Sequence, residues 1–238
     1  MKLITSTLFA LTALVVSSLA ADNYPVFHTN NVILFQGDSI TDGGRQRTGQ
    51  DYNHIMGQSY AYIIAAQIGA EHPERNLNFI NRGIGGNTVT DLAARWQKDT
   101  LDLKPDILSI LIGINDTLGS KQTIEQYEQT YDHLLAEMVA ALPHTKIVLC
   151  EPFILPVGKR EPNYKAERAE VEKRQEILAR LAAKYHLPIV RYQAAYDVAC
   201  GKSAPDHWLW DGVHPTYAGH YLLVQEWMKT VNQFWPNG

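Results

Sequence analysis

Apolar residues recur along the chain in short, nearly continuous runs, at 32–35, 77–80, 107–112, 147–149 and 189–190, interrupted only by Asn78 and Ser109, instead of alternating with polar ones. Continuous runs of this length mark strands buried on both faces, as in a parallel sheet. Between the runs, apolar positions take helical spacing, with Tyr60, Ile64 and Ile68 in one stretch and Val171, Leu178, Leu181 and Tyr185 in another. Beyond Pro215 a last stretch puts Tyr217, Tyr221, Val224, Met228 and Val231 on one predicted helical stripe. Strand–helix alternation through five units predicts an α/β fold, a three-layer αβα sandwich around a five-stranded parallel sheet. No linker, repeat or low-complexity tract divides residues 21–238, which read as a single domain.

Residues 1–20 read differently. Lys2 precedes an apolar stretch at 8–16, and Ser18 and Ala20 put small residues where a signal peptidase reads them. The segment is expected to be an export signal, with the mature chain starting at Ala21 in a periplasmic or extracellular location. An uncleaved membrane anchor competes with this reading, but scattered Thr and Ser and the cleavage-like end disfavour it. No later run is apolar and long enough to span a membrane, so stable membrane association is not expected after cleavage.

Charge narrows the classes further. The 238 residues include 21 Lys and Arg against 25 Asp and Glu, a formal net charge of −4 with no basic block. That lacks the electrostatic footprint of a nucleic-acid binder. A hydrophobic content of 45 % excludes a disordered chain. Cys150 and Cys200 are too few for a disulfide scaffold or a four-sulfur zinc site; they form one bridge or remain two buried thiols.

In an open parallel sheet, ligands bind beyond the carboxyl ends of the strands. Chemistry-bearing residues follow the runs at those places. Gly37-Asp38-Ser39-Ile40-Thr41 follows the first, Gly83-Ile84-Gly85-Gly86-Asn87-Thr88 the second and Gly113-Ile114-Asn115-Asp116 the third, with Trp210-Asp211-Gly212-Val213-His214-Pro215 near the C-terminus. Singly each is ordinary. A serine after a strand is usually a cap, and Thr88 stands where a dinucleotide fingerprint needs a third Gly or Ala. Together they supply acyl transfer: a hydroxyl, an imidazole to take its proton, a carboxylate to hold the imidazole, and N–H donors for the oxyanion. Asp38 and Asp42 are expected to brace the nucleophile turn, and Asp116 the asparagine loop. His207 with Asp206, and His220 with Asp211, match no standard metal spacing, so neither metal nor cofactor is expected. His220 is placed on the last helix, and His28, His72, His133, His144 and His186 at the surface.

These blocks resemble the SGNH subgroup of the GDSL-type esterases and lipases, whose Ser, Gly, Asn and His match Ser39, Gly86, Asn115 and His214, with Asp211 three before the histidine. The resemblance runs from about residue 32 to residue 227 and implies a flavodoxin-like sandwich. It implies a catalytic triad of Ser39, Asp211 and His214, and an oxyanion hole from the Ser39 and Gly86 N–H groups and the Asn115 amide. Thr41 occupies the second glycine position of a G-x-S-x-G elbow, which sets aside the ordinary α/β-hydrolases. Between the blocks, Arg45, Arg82, Asp91-Leu92, Arg95-Trp96, Lys104-Pro105-Asp106 and Ala218-Gly219-His220 are similar to the bacterial acetylxylan-esterase branch. That implies a serine esterase acting on acetylated xylan or xylo-oligosaccharides.

The alternatives are a lysophospholipase or thioesterase, a rhamnogalacturonan or pectin acetylesterase, and a carbohydrate-binding module without catalysis. The polar loop at 45–51 favours small acyl groups. Trp210, Trp208, Tyr52 and His54 are candidates for a sugar-binding rim; for Trp208 and Trp210 the competing role is packing under the loop to fix Asp211. Phe234 and Trp235 pack internally or join a homo-oligomer interface.

Overall fold

Each apolar run becomes a strand in the computed structural model, which describes residues 24–49, 51–119 and 122–238. The leader expected at 1–20 lies outside the described residues. Strands β1 (Val32–Gly37), β2 (Asn78–Asn81), β3 (Ile107–Leu111), β4 (Lys146–Cys150) and β5 (Ile189–Val190) form one all-parallel sheet in the order β2-β1-β3-β4-β5. β1 outruns its apolar stretch because buried Gln36 finds partners: its amide donates to Asp99 O at 2.6 Å and Thr100 Oγ1 at 2.8 Å, and its oxygen accepts from Arg95.

The longer helices are α1 (Tyr60–Glu71), α2 (Val89–Ala94), α3 (Ile124–Ala141), α4 (Tyr164–Tyr185), α5 (Tyr192–Ala199) and α6 (Tyr217–Phe234). Pleating divides the strand residues between two cores. Ile33, Phe35, Ile107, Leu111, Val148 and Cys150 pack with residues of α1, α5 and α6, whereas Leu34, Leu108, Ile110, Ile147 and Leu149 pack with residues of α2, α3 and α4. That is the expected three-layer sandwich. Thr88 is the N-cap of α2, closing a capping box with Asp91.

The last helix departs from the predicted stripe. Tyr217 and Tyr221 are 86 % and 52 % exposed, and the buried face is Leu223, Val224, Trp227, Met228 and Val231. The first turns of α6 border clefts instead of the sheet: Tyr217 shares one with Ser39, and Tyr221 another with residues of α5. Deeper along α6, Trp227 stacks on Phe27 at 6.2 Å and donates its indole N–H to Ser109 Oγ at 3.0 Å, which accommodates the one hydroxyl side chain of β3.

Both cysteines are free; Cys150 is buried, its thiol pushed up to about 12 by burial, and Cys200 is half-buried. His28, His133, His144 and His186 are exposed as expected. His72 is not fully solvated: it is half-buried, bonded to Glu74 and edge-on to Tyr24. Among the described residues no helix is long and apolar enough to cross a membrane.

Candidate active site

Parallel strands end on one side, so the loops after β1, β2 and β3 converge at the same sheet edge. Ser39 opens a single helical turn, Ser39–Asp42, capped by Asp38, whose Oδ1 accepts from Ile40 N at 2.9 Å. Asp38 therefore braces the nucleophile turn as expected. Its carboxyl is fully buried, which pushes it up to about 7.

His214 Nε2 lies 2.8 Å from Ser39 Oγ, and His214 Nδ1 lies 2.8 Å from Asp211 Oδ2. Asp211 Oδ1 accepts from Val213 N at 3.1 Å and His214 N at 2.8 Å. Burial raises the pKa of Asp211, but hydrogen bonds from His214 and Val213 outweigh it, and the net shift is downward. An ionised carboxylate only accepts, so the imidazole carries its proton on Nδ1 and turns the Nε2 lone pair to the serine. The short antiparallel bridge between Leu209 and Pro215 closes this loop.

The glycine loop is pressed against the nucleophile turn. A Cβ on Gly83 would stand 2.4 Å from Asp42 N, and one on Gly85 would stand 3.8 Å from Ser39 Cβ. Gly86 has φ +80°, a left-handed conformation that favours glycine, although a Cβ there would meet nothing within 4 Å. Asn115 Nδ2 donates one hydrogen to Asn87 O at 3.0 Å, leaving a second. Gly86 and Asn115 line a cleft of about 360 Å³ with Asp211 and His214. Ser39 opens onto a second cleft of about 390 Å³, shared with Gln58, Trp210, His214, Tyr217 and His220.

Two expected braces reach beyond their own loops. Asp42 Oδ1 accepts from Arg45 N at 3.1 Å just past its own turn, while Oδ2 accepts from Gly85 N at 2.9 Å and from Arg47 Nη2 and so also holds the glycine loop. Asp116 accepts from Val89 N at 3.1 and 3.2 Å and so anchors the start of α2; burial pushes its carboxyl up to about 6. Arg45 Nε and Arg47 Nη1 both donate to Gly83 O at 2.9 Å. Arg95 reaches Asn87 Oδ1, Gln36 Oε1 and the carbonyls of Arg82 and Gly37, tying the end of β1 to the glycine loop. Sequence marked Arg45 and Arg95 only through family resemblance. Nothing in the sequence marked Lys159 and Arg160, which line the Asn115 cleft.

The aromatic candidates separate. Trp210 is 62 % exposed and stacks on the His214 ring at 5.5 Å, while Trp208 is half-buried and packs against the core. Tyr52, 85 % exposed, and His54 line neither cleft beside Ser39. Asp51 caps the helix Tyr52–Met56, which buries Met56 and leaves Tyr52 and His54 at the surface. Among the described residues no group of three or more His, Cys, Asp or Glu is placed to hold a metal ion.

A model of the GDSL-like lipase/acylhydrolase family matches residues 35–222. An acetylxylan esterase of Geobacillus stearothermophilus is 33 % identical over 214 residues, 85 % of this chain and 94 % of that protein. A crystal structure from Parabacteroides merdae, described as a GDSL-like lipase, superposes with a TM-score of 0.79 at 36 % identity, covering 87 % of this chain and 97 % of the other. An uncharacterised lipoprotein of Bacillus subtilis is 51 % identical over 87 residues, 36 % of this chain and 32 % of its own.

Proposed function

We propose that this chain, which belongs to the GDSL-like lipase/acylhydrolase family and is a carboxylic ester hydrolase, removes O-acetyl groups from carbohydrate, with acetylated xylan or xylo-oligosaccharides as substrate. The observation that carries the chemistry is the unbroken relay from Asp211 through His214 to Ser39, with both links at 2.8 Å. Ser39 Oγ attacks the acetyl carbonyl as His214 Nε2 takes its proton, and Asp211 stabilises the imidazolium. The N–H groups of Ser39 and Gly86 and the Asn115 amide meet the oxyanion, each donor worth about 10²–10³ in rate. His214 then protonates the departing sugar oxygen, leaving an acetyl ester on Ser39. Water, deprotonated by His214, attacks that ester, and the imidazolium returns the proton to Ser39 Oγ as the acyl–oxygen bond breaks and the acetyl group leaves as the free acid.

Substrate class rests on the surroundings. Both clefts are open and partly polar, and the one beside Ser39 is rimmed by the exposed faces of Trp210 and Tyr217, which suit sugar C–H surfaces better than a long acyl chain. The acetylxylan esterase relative supports the same class. Lys159 on the wall of the Asn115 cleft favours a second reading, acetylated pectin, whose uronate carboxylates it would meet. The leader read at 1–20 and the lipoprotein relative support export.

Ser39→Ala is expected to lower kcat on 4-nitrophenyl acetate by at least about 10³. A rate within tenfold of the parent refutes the nucleophile. Acetate released fastest from acetylated xylan supports the first reading, and from acetylated pectin the second. Faster turnover of long-chain acyl esters overturns both.

A further inference from the structure

We infer that His220 is a specificity-determining residue whose Nε2–H donates to a hydroxyl of the acetylated sugar, an inference that rests on the carbohydrate reading. His220 lies in the first turns of α6, and its Nδ1 accepts the Tyr60 N–H at 3.2 Å. Tyr60 N is an orphan donor at the start of α1, where Ser59 supplies no side-chain cap. With its Nδ1 lone pair engaged, a neutral ring must carry its proton on Nε2. Burial and the neighbouring His214 push the His220 pKa down to about 4, which keeps the ring neutral.

Capping Tyr60 uses only one edge of the ring. No partner among the described residues meets Nε2, and the ring lines the cleft onto which Ser39 opens, beside Gln58 and Trp210. Gly86 and Asn115 line the other cleft and so draw the acyl oxygen to that side. The alcohol half of the ester then falls on the His220 side. A fixed N–H donor there favours alcohols with a neighbouring hydroxyl and offers nothing to a phenol.

His220→Asn and His220→Gln separate the two edges of the ring. Asparagine keeps an acceptor near the Nδ1 position but loses the distal donor, and glutamine restores an N–H near the Nε2 position. On an acetylated methyl xyloside, His220→Asn is expected to raise KM roughly five- to tenfold, the worth of one neutral hydrogen bond. Its kcat/KM on phenyl acetate stays within about twofold of the parent, and His220→Gln recovers the xyloside preference. Equal losses on both esters, or no loss on either, overturn the inference. If the parent enzyme hydrolyses phenyl acetate but no sugar acetate, the carbohydrate reading itself fails. Independently of any variant, long-range ¹H–¹⁵N correlation spectra should show the Nε2–H tautomer, and its signal should shift on adding methyl β-xyloside. An Nδ1–H tautomer, or no shift, also overturns it.

Discussion

Asp211→Asn isolates what the carboxylate contributes. In the parent, Oδ1 is held by two backbone donors, Val213 N and His214 N, while Oδ2 faces His214 Nδ1. An asparagine must keep its oxygen toward the two backbone N–H groups, because the flipped amide would set its NH₂ against both. Losing two hydrogen bonds costs about 2–3 kcal/mol, so the flip is populated to roughly 0.6–3 %. In the dominant rotamer the NH₂ donates to Nδ1, which forces the proton onto Nε2 and removes the base from Ser39. The flip alone therefore limits kcat to roughly a hundredth of the parent, and the lost charge beside the imidazolium deepens the fall to about 10⁴. The assay is steady-state acetate release from a chromogenic ester, paired with urea unfolding. Stability should hold to within about 1 kcal/mol, since both backbone bonds to Oδ1 persist. Activity within tenfold of the parent would refute the tautomer reasoning.

Gly83→Ala should push the glycine loop off the nucleophile turn, since the new Cβ would meet Asp42 N at 2.4 Å and Thr41 C at 2.8 Å. Overpacking of about 1–3 kcal/mol predicts a Tm lower by about 2–10 °C; kcat should fall at least about tenfold through the displaced oxyanion donors, and a parental kcat would show that this spacing does not set the hole. The Asp38 carboxyl is raised to about 7 by burial, so the folded state holds a proton that the unfolded chain has released above about pH 4. This group's contribution to stability is full below that pH and is lost as pH rises through about 7, by at most about 1.4 kcal/mol per pH unit. Asp38→Asn removes it, so urea midpoints of the variant should gain on the parent between pH 4 and 7, and a constant difference would count against it. For the free cysteines, Ellman's reagent should titrate no more than one thiol in the native protein and both in guanidinium, because Cys150 is buried with its thiol raised to about 12. Two fast native thiols would contradict the burial.

The sheet and the proposed reaction centre were legible before any fold was built. Runs such as 107–112 have no polar face, and only a strand covered on both sides tolerates that. Parallel strands then force the loops holding Ser39, Gly86 and Asn115 to one edge. The proposed nucleophile, base and carboxylate follow from residue chemistry at those ends, and Asp211 and His214 share one short loop.

Tertiary structure alone decided which partner each loop side chain meets. Asp42 and Asp38 sit four residues apart in the same motif, yet one grips Gly85 across the loops while the other caps its own turn. Trp208 and Trp210 are two apart in one loop; one packs inward and the other stacks on the His214 ring. Tyr217 and His220 belong to a helix whose periodicity predicts only a buried stripe, but the first turns of that helix border the Ser39 cleft. The physical reason is common to the two loop pairs. Burial on a sheet or helix repeats along the chain and leaves a periodic trace in the sequence, whereas the direction of a loop side chain depends on local torsions and on partners tens of residues away. Those contacts have no period, and only the folded chain brings them together.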